Sequence, residues 1–124
     1  MILVTGGIYQ HKLDFIYEKF GLTKDDVSFV ENNIDYNKNI IYKLNDLIRY
    51  WINENKDIDS ELEILIKNCK EKIIVMDNVG SGIIPIDKNI RDLREIIGRA
   101  GCKIAENSDE VYSVLCGIGI KIKG

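Results

Sequence analysis

Short apolar runs alternate along this chain with longer stretches of helical periodicity, and few folds accept that alternation. Residues 2–5 read as a short buried strand that ends on Gly6 and Gly7. Leu13, Ile16, Tyr17 and Phe20 then fall at i, i+3, i+4 and i+7, one apolar face of a helix that Gly21 ends. Residues 27–30 predict a second strand, closed by Glu31. Ile40, Ile41, Leu44, Leu47, Ile48, Trp51 and Ile52 share one stripe and predict a helix over 40–52. SELE at 60–63 has the form of a capping box and predicts a helix start, continued through Leu62, Leu65, Ile66 and Cys69. KIIVMD at 72–77 predicts a fully buried strand ending in a carboxylate. After Pro85, apolar residues from Ile86 to Ile104 predict a long amphipathic helix with Asp87 near its start. EVYSVLC and IGIKIK, parted by Gly117, are too close for a helical crossover and predict an antiparallel edge hairpin. Strands alternating with helices make an α/β chain: a mostly parallel sheet with helices on both faces. No linker or repeat divides residues 1–124, so one domain is expected.

In such sheets ligands bind at the carboxyl ends of the strands. Three features collect there: the TGG loop, Glu31, and the DNVGSG loop that opens with Asp77. The first is nearly a phosphate-binding loop. That motif needs G-x-x-x-x-G-K-[ST]: glycines so that backbone N–H groups can curl round phosphates, a lysine for their charge, and a hydroxyl for Mg²⁺. Gly6 and Lys12 fit it. His11 stands at the second glycine, where a side chain costs on the order of 1 kcal/mol of strain or reshapes the loop. Leu13 stands at the hydroxyl and cannot ligate a metal.

Composition narrows the partners. Seventeen basic and twenty acidic residues leave a net charge of −3 with no long block of one sign, which disfavours nucleic acid or an anionic membrane. No apolar run approaches the ~18 residues of a membrane span, and the apolar start is too short for a leader. The three cysteines have neither metal nor disulfide spacing and are expected as small buried thiols in a reducing cytoplasm.

DNVGSGIIP (77–85), LREIIGRA (93–100) and DEVYSVLCGIGIKIK (109–123), with ILVTGG at the start, resemble the adenosylcobinamide kinase/adenosylcobinamide-phosphate guanylyltransferase family of cobalamin biosynthesis, over about half the chain. The resemblance implies a RecA-like P-loop NTPase fold and a homotrimer. It implies ATP or GTP with Mg²⁺, a corrinoid phosphorylated on its aminopropanol arm, and GMP transfer through a guanylylated histidine. It implies Thr5, Gly6, Gly7 and Lys12, which match the family's loop, as nucleotide-binding residues; Gly80 and Gly82 of the second loop are further candidates, and Asp77 and Glu31, carboxylates at strand ends, are the Mg²⁺ candidates. Gln10, His11 and Leu13 depart from the family's loop. The family's adjacent histidines and Arg-Pro have no counterpart, because the chain's single histidine is His11. Asn78 replaces a glutamate of the second loop.

The catalytic candidates are therefore Lys12 on phosphates and His11 as a relocated nucleophile. Each has a plainer alternative. Lys12 would be a solvated lysine in a first helical turn, His11 a capping or surface residue, and Asp77 or Glu31 a cap at a strand end. Arg99 would reach an interface, a phosphate or solvent. The expected function is that of a shortened, divergent family member with weak or lost catalysis that retains nucleotide or corrinoid binding. The alternatives are an active ATP/GTP-dependent adenosylcobinamide kinase and a non-catalytic oligomeric module whose cleft is filled by Tyr9, His11 and Leu13.

Overall fold

Ile73–Asp77 has no polar side chain until its last residue, and it lies in the middle of the sheet with both faces covered. The computed structural model describes residues 1–7, 10–29, 33–77 and 88–124. Its strands are β1 (Ile2–Gly6), β2 (Val27–Phe29), β3 (Ile40–Tyr42), β4 (Ile73–Asp77), β5 (Glu110–Leu115) and β6 (Ile118–Lys123). The helices are α1 (Lys12–Phe20), α2 (Leu44–Asn53), α3 (Ile58–Asn68) and α4 (Lys88–Glu106), with a short 3₁₀ turn at Lys24–Asp26. The six strands form one sheet in the order β2-β3-β4-β1-β5-β6. All neighbours are parallel except β5 and β6, which form the antiparallel hairpin read from the sequence. Cys116 and Gly117 turn that hairpin with φ of 49° and 78°. Positive φ at both central residues suits a two-residue turn joining right-twisted strands.

Two cores follow from the period-2 alternation of the strands. Leu3, Ile74, Met76 and Val111 face α2, α3 and α4, where Leu44, Ile48, Trp51, Leu65, Ile97 and Ile104 are buried. Val4, Ile73, Val75, Tyr112 and Val114 face the other side, where Ile16 of α1 is buried. The chain thus leaves β1 toward one face, while α4, which follows β4, covers the opposite face. Gly6 and Asp77 are Cα partners at the tips of these adjacent strands. A crevice opens where neighbouring strands send their helices to opposite faces, and it places the site.

Three expectations are corrected. Residues 40–42 are a strand, not the start of a helix: Ile40 and Ile41 pair with Ile73 and Ile74 and are fully buried. Two β-branched residues and a tyrosine favour that pleated setting, and Lys43, at φ 59° and ψ 54°, breaks the chain into α2. The helix expected to open at Ser60 begins at Ile58 with Asp57 as N-cap, and the Ser60 hydroxyl donates to Asp57 Oδ2 at 2.7 Å. A capping box does occur in the 3₁₀ turn, between Thr23 and Asp26. Of the cysteines only Cys69 is buried; Cys102 and Cys116 are exposed. Tyr9, Glu31, Asn78, Gly80, Gly82, Pro85 and Asp87 lie outside the described residues. None of the helices among the described residues is long and apolar enough to cross a membrane.

Candidate functional site

Gly6 is the tip of β1, and close approach fixes its identity. A Cβ there would lie 2.6 Å from the Val114 carbonyl oxygen and 3.4 Å from Cγ and Cδ of Lys12. Its hydrogen lets β5 approach from one side and the lysine stem lie along the other. Among the described residues Gly7 meets no such constraint, since the nearest contact there would be Gln10 Cγ at 3.5 Å.

Gln10 ties the loop to the hairpin turn. Its carbonyl accepts from the Gly117 N–H, and its Oε1 from the Cys116 N–H, both at 2.8 Å. His11 then takes the left-handed conformation, φ 61° and ψ 42°. The position keeps a backbone conformation that suits glycine, with the strain that implies for a side chain. The imidazole, 64% exposed, does not turn inward; Nδ1 lies 3.1 Å from Asp14 Oδ2.

Lys12 opens α1 and is buried, which removes the solvated-lysine alternative. Its Nζ donates to the Gly7 carbonyl at 2.7 Å and pairs with Asp77 Oδ1 at 2.7 Å. A cation in a first turn opposes the helix dipole, so this placement depends on the Asp77 carboxylate. Leu13 is half-buried and packs against the α1-side core. Thr5, on the other face of β1, lines a cavity of about 480 Å³ beneath α4.

Asp77 has its backbone held twice. Asn45 Oδ1 accepts from its N–H and Asn45 Nδ2 donates to its carbonyl oxygen, each at 3.0 Å. Around the pair lies a cavity of about 490 Å³ walled by Gln10, His11, Lys12, Leu13, Tyr42 and Lys43. Asp77 lines both this cavity and the one beneath α4.

The structure therefore joins Gly6, Gly7, Lys12 and Asp77 into one constellation, with His11 at its rim and Thr5 on the opposite face. Sequence reasoning missed Gln10 as a tether, Lys43 at the end of β3, and Asn45. Reading 40–42 as a strand would have put Lys43 at a strand's carboxyl end. Asn45 gave one signal: a polar residue at the edge of an apolar helical stripe. The first-turn N–H groups of α1 and the Lys12 ammonium suit a phosphate. Mg²⁺ fits less well. Leu13 offers it no ligand, the Asp77 carboxylate is engaged by Lys12, and no cluster of three acidic, His or Cys side chains occurs among the described residues.

Residues 16–122 match the family model described as cobinamide kinase / cobinamide phosphate guanyltransferase. The chain belongs to this family. Its fold is accordingly the P-loop NTPase fold. The match begins beyond the Gly6–Lys12 loop, and it includes the middle of the chain, which the motif resemblance left out. The chain is also 43% identical over 70 residues to the bifunctional adenosylcobalamin biosynthesis protein CobU of Salmonella typhimurium, and the alignment covers 53% of this chain and 39% of that protein. To the protein of the same name from Escherichia coli it is 39% identical over 70 residues, with the same two coverages. The match thus spans less than half the length of either relative.

Proposed function

We propose that this chain is a divergent cobinamide kinase/guanyltransferase relative in cobalamin biosynthesis that binds nucleotide or corrinoid with weak or lost turnover. The observation that carries this reading is the 2.7 Å pair between the buried Lys12 and the partly exposed Asp77, beside Leu13 where the family places a hydroxyl. A phosphate gains the lysine only by competing with a carboxylate and a carbonyl already bound to it. No metal hydroxyl compensates, and phosphoryl transfer depends almost wholly on positioning and charge neutralisation. His11, the chain's single histidine, holds its imidazole at the surface against Asp14.

Calorimetry with ATP and GTP, with and without Mg²⁺, tests the reading. Weak heat that does not need Mg²⁺ and is lost in Lys12→Ala is expected, with little phosphorylation of adenosylcobinamide. Micromolar, Mg²⁺-dependent affinity with rapid phosphorylation would establish the active-kinase alternative instead. On this reading the corrinoid's aminopropanol arm enters the α4-side cavity, whose lining includes Asp77 and Thr5.

The homotrimer belongs to the same proposal. Leu115, Ile118, Ile120 and Ile122, each about 60–70% exposed, crowd the β5–β6 hairpin, and contiguous apolar surface of this kind marks contact sites. Light scattering should return three times 14.2 kDa. A mass near one chain would refute the trimer. A reducing cytoplasmic setting, consistent with two exposed free thiols, completes the reading.

A further inference from the structure

We propose that Asn45 is a positioning residue that fixes the Asp77 carboxylate on Lys12. This inference rests on the reading of Lys12 and Asp77 as the phosphate-facing pair. The β3–β4 ladder ends at Ile41↔Ile74, because Lys43 turns the chain into α2. On its β1 side Asp77 is Cα partner to Gly6, but toward α2 it has no strand partner among the described residues. The Asn45 carboxamide fills that place. It imitates a peptide group, presenting one acceptor to the Asp77 N–H and one donor to its carbonyl. The requirement to meet both an N–H and a C=O also fixes which way the amide faces.

Asn45 is 7% exposed, so water does not replace its carboxamide cheaply. The geometry is cooperative. The left-handed Lys43 delivers α2 to the tip of β4, Asn45 closes the ladder there, and the last residue of β4 is gripped from two sides. Its carboxylate then reaches Lys12 Nζ at 2.7 Å. Without Asn45 the tip of β4 would be held from the β1 side only, and Lys12 would lose its fixed counter-charge.

The test needs no ligand. Limiting acetic anhydride followed by peptide mass spectrometry reports how readily each lysine is acylated, and Lys12 should be among the slowest in the native protein. In Asn45→Ala the acylation of Lys12 should rise about tenfold, as expected for local opening after two hydrogen bonds are lost. Asn45→Asp keeps size and one acceptor but sets a carboxylate against the Asp77 carbonyl. It should act in the same direction, and it decides the matter should the alanine variant not fold. Leu47→Ala, a core truncation on the same helix, is the stability control and should leave Lys12 protected. Unchanged Lys12 protection in the folded Asn45 variants would overturn the proposal, and so would equal exposure in Leu47→Ala. Freed Lys12 in a protein that shows no nucleotide heat would support the role of Asn45 and refute only the nucleotide reading.

Discussion

Lys12 Nζ and Asp77 Oδ1 stand 2.7 Å apart, joining the first turn of α1 to the tip of β4 across the sheet's carboxyl edge. The lysine side chain is only 4% exposed and the aspartate 20%. Breaking such a pair from one side leaves a charge without its partner. Lys12→Met keeps the stem on Gly6 and should destabilise the fold by about 2 kcal/mol, below the usual buried-pair loss because Asp77 keeps some water. Lys12→Met with Asp77→Asn should cost less than the sum of the single changes, by on the order of 1 kcal/mol. Urea denaturation of the four proteins measures this; strict additivity would mean the two groups do not interact.

Gly6 and Gly7 look alike in the sequence and should respond differently to alanine. A Cβ on Gly6 meets backbone at 2.6 Å, which cannot swing aside. Gly6→Ala should cost about 1–3 kcal/mol through overpacking. Gly7→Ala should stay within about 0.5 kcal/mol of the parent. Thermal melts of the two variants separate them.

His11 sits at φ 61° with its ring in solvent. His11→Gly exchanges left-handed strain for greater freedom of the unfolded chain, and the net should be a gain of about 0.5 kcal/mol. Asp14→Ala, which removes only the exposed contact to the imidazole, should change stability by less than that. A loss of stability in His11→Gly would show that the left-handed turn is not strained.

Burial pushes the Cys69 thiol up to about 11. The unfolded thiol ionises near 8.5, so unfolding releases a proton at alkaline pH. The stability tied to the neutral thiol is complete below about pH 8.5 and falls as pH rises through 11. Cys69→Ala should lower baseline stability by about 1 kcal/mol for the lost packing and flatten the alkaline decline. A thiol reagent at neutral pH should titrate Cys102 and Cys116 in the native state and Cys69 only after unfolding.

Where the pattern was local, the sequence was readable. The buried runs of β1 and β4, the 3.6-residue stripes of α1 and α4 and the closely spaced hairpin depend on neighbours within a few positions. The opening of α2 shows the limit. Ile40 and Ile41 continue the stripe of Leu44 and Ile48, and the β preference of Ile40, Ile41 and Tyr42 is too weak a local signal to outweigh that stripe. The available partner, Ile73–Ile74, lies more than thirty positions away, and pairing with it settled the matter.

The candidate site divides in the same way. The alternation of strands and helices by itself set the expectation that the TGG loop, Glu31 and the loop opening at Asp77 lie at the carboxyl edge of a parallel sheet, since such a chain can bury its apolar faces in few other ways. Only the tertiary structure decided that Lys12 is buried against Asp77, that Gln10 is tied to the hairpin, and that Asn45 completes the ladder at β4. Each of those contacts joins residues far apart in the chain, and in each a polar group left unpaired by its local chain takes a partner that only the folded neighbours present.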